Sequence, residues 1–208
     1  MDAQGYQPDD PVILKMLRSG SFDAAVADAR LTGADFNEPI CDEPGYPTTY
    51  LNEAVSSNDP KAVQYFLEHG ADPNYNRDDV IPLWELQYAW DIEDEQGLDD
   101  MYEIQKLFFR YGADPNLIYE NEGLYDSVVF TVYNDPPGEL WWKNLLRFYK
   151  LLVLYGGGGL EYGYGKPDLK NVDISKPDDY SVRFRICDDG YHIVGLLVDR
   201  EEKVVAEL

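Results

Sequence analysis

The sequence predicts a mainly α protein: a stack of helix–turn–helix units closed by a small antiparallel β hairpin or meander at the C-terminus. Three observations predict it. The stretches TGADFN at 32–37, HGADPN at 69–74 and YGADPN at 111–116 are near copies of one another. Apolar residues stand four and eight positions before the glycine of each copy. Beyond Gly159 the pattern changes to a Gly-, Pro- and Asp-rich connector and then to alternating segments. At 208 residues, 44% of them apolar, the chain is long enough for one sizeable core with a small appendage.

The elements follow in order. Gly33, Gly70, Gly112 and Gly156 mark four copies, a drifting period that calls for a repeat reading. Four residues before each stand Ala29, Phe66, Phe108 and Leu152, and eight before stand Ala25, Ala62, Ile104 and Phe148. That spacing puts an apolar stripe on one face of a helix. The glycine then supplies the left-handed residue that ends the helix. Proline in Asp72-Pro73-Asn74 and Asp114-Pro115-Asn116 presets a turn.

Asp59-Pro60 and Asp135-Pro136 read as helix starts, an acidic N-cap followed by proline at the first helical position, and Ser21 as the cap of the first copy. Shorter apolar segments at 12–18, 49–57, 81–90 and 123–133 precede these starts and supply the first helix of each pair. The extra residues of the third and fourth copies, DIEDEQGLDD at 91–100 and YNDPPGELWW at 133–142, belong between the paired helices. After the connector, YSVRFRI alternates with Val182, Phe184 and Ile186 on one side. CDDG makes a turn, and YHIVGLLVD and VVAEL follow as strands that pack on the last repeat as a cap.

These residues give the chain a resemblance to the ankyrin repeat family, whose consensus opens T-P-L-H-x-A and closes L-L-x-x-G-A-D-x-N. Against it stand T49-Y-L-N-E-A54 with YFLEHGADPN at 65–74, I81-P-L-W-E-L86 with LFFRYGADPN at 107–116, and G123-L-Y-D-S-V128 with LLVLYGGGG at 151–159. The first copy has no clear opening motif and reads as an N-terminal cap. The resemblance implies an array over 1–160, with repeats at about 11–38, 47–75, 80–117 and 122–159, and residues 161–208 as connector plus β cap. It also implies a binding module. The consensus histidine falls on Asn52, Trp84 and Asp126, a departure from the family.

Seventeen Lys and Arg against forty Asp and Glu give a net charge of −23. The repeats carry most of it. Such a charge repels nucleic acid and anionic membrane and steers basic surfaces inward. The opening MDAQGYQPDD has no basic and apolar leader pattern, no apolar run reaches the roughly 20 residues of a membrane span, and Cys41 and Cys187 form no CxxC pair. The expectation is a cytoplasmic protein, monomeric when free, with no direct nucleic-acid or membrane partner.

Site chemistry is sparse. Asp91, Glu93, Asp94, Glu95, Asp99 and Asp100 hint at a calcium loop, but the glycine falls one place late and Tyr102 stands at the twelfth position. His69 beside a helix C-terminus and His192 in a strand have no partner at metal-ligand spacing. GGGGLEYGYGK misses the phosphate-loop pattern at Leu160 and Pro167. No nucleophile motif is present, so no catalytic, metal or cofactor residue is named, and the expectation is a protein that is not an enzyme.

The seventeen Tyr and four Trp are more informative, because these residues anchor interfaces. Tyr46, Tyr75 and Tyr119 fall in turns between copies, where a packed role is hard to arrange, and they alternate with Asp42, Glu43, Asp78, Asp79, Glu120 and Glu122. With Trp84 and Glu85 these make the expected partner-binding set. Trp141 and Trp142 end an insertion. The reading is a module that engages a basic partner protein, such as an immunity protein neutralising a cationic toxin, for example a nuclease. The alternatives are an acidic nucleic-acid mimic that blocks a DNA-binding protein, and a generic ankyrin scaffold.

Overall fold

The computed structural model describes residues 11–27, 34–43, 46–88, 92–134, 140–158, 167–186 and 193–208. The expectations resting on Ala29, Gly33, Asp135-Pro136, Cys187 and His192 lie outside these residues. Within them the chain is mainly helical, with a small antiparallel sheet near the C-terminus. Eight α-helices are seen among the described residues: α1 Pro11–Arg18, α2 Phe22–Val26, α3 Tyr50–Ser56, α4 Pro60–Glu68, α5 Pro82–Glu85, α6 Glu95–Arg110, α7 Leu124–Asn134 and α8 Leu140–Leu154. The strands are β1 Ile40–Glu43, β2 Tyr46–Thr48, β3 Ile118–Tyr119, β4 Glu122–Gly123, β5 Tyr180–Ile186, β6 Ile193–Asp199 and β7 Val204–Glu207.

The chain divides into two compact units, one of residues 1–86 and 95–113, the other of 87–94 and 114–208. The fourth helix pair therefore shares a unit with the C-terminal sheet.

In the first unit α1 packs on α2, α3 on α4, and α3 lies against both α1 and α5. The apolar stripes meet in a core of Leu14, Leu17, Leu51, Ala54, Val63, Phe66, Leu83, Ile104 and Phe108. Caps set the boundaries. Thr49 Oγ1 accepts the Asn52 N–H, and Asp59 Oδ1 accepts those of Lys61 and Ala62 with Pro60 at the first helical turn. Ser21 does hold the N-cap position of α2, but its side chain makes no cap bond. Its oxygen accepts the Ser19 hydroxyl instead, at 3.1 Å.

The repeated six residues have a backbone explanation. Gly70 and Gly112 sit at φ 94° and 90°, and the N–H groups of Ala71 and Ala113 reach back to the carbonyls of Phe66 and Phe108 at 2.9 and 3.0 Å, the paired closure that a left-handed residue permits. Asp72 Oδ1 then accepts the Asn74 N–H at 2.8 Å, tightening the turn. The asparagine works forward. Asn37 Nδ2 donates to the Gly70 carbonyl while its Oδ1 takes the Asp72 N–H, and Asn74 Nδ2 donates to the Gly112 carbonyl. Each bend is thus pinned by the asparagine of the bend before it.

The second unit repeats the device. Asn116 Nδ2 faces the Gly156 carbonyl at 3.5 Å and its Oδ1 accepts the Gly158 N–H at 3.0 Å. Helices α7 and α8 pack together, and β5–β6–β7 form an antiparallel meander laid on α8 through β5. Of the alternating side, Val182 is buried and Phe184 half-buried; Phe184 meets the ring of Trp142 at 6.4 Å. Lys150 Nζ donates to the Tyr180 carbonyl at 3.1 Å.

Two expectations need correction. The insertion 91–100 is not all loop, since Glu95–Asp100 forms the start of α6, where Leu98 is buried three residues before Met101. Helix α5 is only four residues long, well short of segment 81–90; Gln105 Nε2 donates to the Leu86 carbonyl at 3.2 Å, a carbonyl a longer helix would use internally. The other insertion closes α7 at its start and opens α8 with Trp141 and Trp142.

Candidate acidic turn tips

Two copies present a matching hairpin tip. Asp78 and Asp79 lie eight and nine residues after Gly70, at φ 53° and 62°, between Arg77 and Val80, which bridge as a minimal antiparallel pair. Glu120 and Asn121 lie at the same distance after Gly112, at φ 48° and 73°, between β3 and β4. Two consecutive positive φ values make the two-residue turn that suits the twist of a hairpin. Glycine or asparagine is the usual occupant. An acid there keeps its carboxylate in solvent, and Asp78, Asp79, Glu120 and Glu122 are all exposed. The earlier hairpin β1–β2 pairs Glu43 with Tyr46 and Ile40 with Thr48; the side chains of Asp42, Glu43 and Tyr46 lie outside the described residues.

The aromatic members behave differently. Tyr75 is 5% exposed, which corrects the expectation that a turn position leaves it without a packed role. Its N–H closes a turn on the Asp72 carbonyl, and the Arg77 guanidinium lies 5.9 Å over its ring. Burial, with Asp78 nearby, pushes its phenol pKa up. Trp84 is 8% exposed and so is not a surface residue. The position it shares with Asn52 and Asp126 faces inward in all three copies, Asp126 being 4% exposed. Tyr119 is half-buried on β3. Glu85, at the end of α5, is half-buried, and burial pushes its carboxyl pKa up.

The remaining candidates take structural positions. His69 caps α4, with Nδ1 2.7 Å from the Tyr65 carbonyl oxygen and its ring stacked on Tyr65 at 4.0 Å. The suspected calcium loop is helical from Glu95, so carbonyls that an ion would need are bonded along α6. Among the described residues no group of three or more His, Cys, Asp or Glu is placed to hold a metal ion, and no helix is long and apolar enough to cross a membrane.

Sequence reasoning missed a second acidic region. An open cleft of about 570 Å³ in the first unit is lined by Asp23, Asp59, Asp100 and Glu103, with Lys61 beside them. These residues come from the α1–α2 junction, the α3–α4 junction and the body of α6, and no local motif announces their meeting. It also missed the ion pair between Arg18 and the buried Glu53. Comparison of the chain with protein-family models, with curated proteins and with solved structures returns no match.

Proposed function

We propose that this chain is a non-enzymatic, ankyrin-type repeat module that binds a basic partner protein through its acidic turn tips. The observation that carries the reading is the recurrence of the two-residue tip, at one offset from its glycine, with exposed acids in both copies. A net charge of −23 supports it by steering a cationic surface toward the chain before contact. The half-buried Tyr119 supplies apolar area next to the acids of its tip. A narrower form of the proposal is an immunity protein that neutralises a cationic toxin such as a nuclease; it rests on what the ankyrin resemblance implies and on charge.

The test is kinetic. Affinity capture identifies the partner, and its association is then followed across a salt series. Reversing Asp78 and Asp79 to Lys, or Glu120 and Glu122 to Lys, slows association on the order of tenfold or more at low salt and much less at high salt. Capture that yields no basic protein, or reversals that leave the rate intact, overturns the reading.

A further inference from the structure

Two glutamates hold the same place in successive helices. Glu53 in TYLNEA and Glu85 in IPLWEL each stand four residues after the N-cap, Thr49 and Ile81, of α3 and α5. Glu53 is 7% exposed and receives a guanidinium from α1 in two-point fashion, Arg18 Nε to Oε2 at 2.7 Å and Nη2 to Oε1 at 3.0 Å. The fork of an arginine matches the two oxygens of a carboxylate, which an ammonium does not.

One helix along, the arginine is missing. Arg18 and Ser56 each end their helix two residues before a positive-φ residue, Gly20 and Asn58. The turn bonds also match. Gly20 N–H donates to Leu17 O as Asn58 N–H does to Val55 O, and Ser21 N–H donates to Met16 O as Asp59 N–H does to Ala54 O. Ser56 is therefore the positional counterpart of Arg18 on the helix that packs against α5, and a serine has no guanidinium to offer a carboxylate. The Glu85 carboxylate is half-buried and makes no hydrogen bond or ion pair among the described residues. Leaving an acid partly desolvated without a cation is costly, and its environment already disfavours the ionised form.

We propose that Glu85 is the seat for an arginine side chain of the basic partner, which takes over α5 the place that Arg18 takes over α3. This rests on the reading of the chain as a binder of basic protein and names the side chain that reading would deliver.

Two experiments test it. In Ser56→Arg the chain supplies its own guanidinium, so a carbon-detected carboxyl titration finds the Glu85 pKa lowered from its wild-type value and the denaturation midpoint raised. A folded Ser56→Arg in which Glu85 keeps its raised pKa overturns the seat whatever the partner. The second uses octa-arginine as probe, by calorimetry at about physiological salt. Glu85→Gln and Ser56→Arg weaken binding about tenfold, as expected for a lost two-point charged contact, whereas Glu201→Gln, the same unit of charge removed from an exposed turn, changes it much less. Equal weakening by Glu85→Gln and Glu201→Gln reduces the effect to net charge and overturns the seat alone. No binding of octa-arginine by the wild type counts against both the seat and the basic-partner reading.

Discussion

Single residues decide more here than composition does. Gly157 is the clearest case: a Cβ there would stand 2.6 Å from Tyr125 Cδ2 and 2.9 Å from the Leu152 carbonyl oxygen. Gly157→Ala is expected to lower stability by about 1–3 kcal/mol through overpacking, read by chemical denaturation. At Gly112 nothing lies within 4 Å, but φ is 90°, so Gly112→Ala costs about 1–2 kcal/mol through backbone strain alone. Glu85 sets a pH dependence. Its folded pKa lies above the ordinary 4.5 because burial disfavours the charge. Folding therefore favours the protonated form. The penalty is full above the folded pKa and disappears as the pH falls below the unfolded value. Glu85→Gln is expected to raise the melting temperature at neutral pH, with the difference closing in acid. Identical letters hid this in the sequence, where Glu53 and Glu85 sit in matching contexts; whether a cation reaches each depends on a residue some thirty positions upstream.

Helices, turns and strands were legible where one residue type has one backbone task. Glycine at positive φ, aspartate closing a turn on its own backbone and proline at a helix start are such cases, and the bends and the α4 boundary follow from them. Burial of turn aromatics was not legible: Tyr75 is covered through packing that its own segment does not spell out, as is Trp84 on the short α5. The first turn of α6 was misread because acidic residues there occupy the solvent face while Leu98 holds the inner one. The tips themselves trade stability for charge. Glu120 at φ 48° carries a left-handed cost that glycine would not, so Glu120→Gly is expected to stabilise the fold by about 0.5–1 kcal/mol while weakening association with a basic partner. The α1–α3 pairing includes an ion pair beside its apolar contacts. Arg18→Ala strands the buried Glu53 carboxylate and is expected to cost about 1–3 kcal/mol, below the value for a fully buried pair because the Arg18 side chain is 44% exposed. Glu53→Gln in the same background should recover part of the loss, which a double-mutant cycle measures.

Across the molecule, forty acids against seventeen bases mean that the folded chain works against its own repulsion. Raising salt from low to physiological concentration is expected to increase the melting temperature, and a flat response would show that the acids are already neutralised in place. The class of fold was readable because the repeat multiplies a weak local signal. The chain's division into two compact units was not, since it depends on α7 and α8 joining the sheet rather than on any break in composition. The asparagine bridges carry one more consequence. Because Asn37, Asn74 and Asn116 each reach toward the following glycine, support runs in one direction along the chain: every bend is held by the one before it. Removing an earlier asparagine takes away the donor of the next bend, whereas removing a later bend leaves only an exposed amide that water satisfies. Asn37→Ala should therefore loosen the bend at Gly70, read by amide exchange at Ala71 and Asp72, and leave the bend at Gly156 as it is.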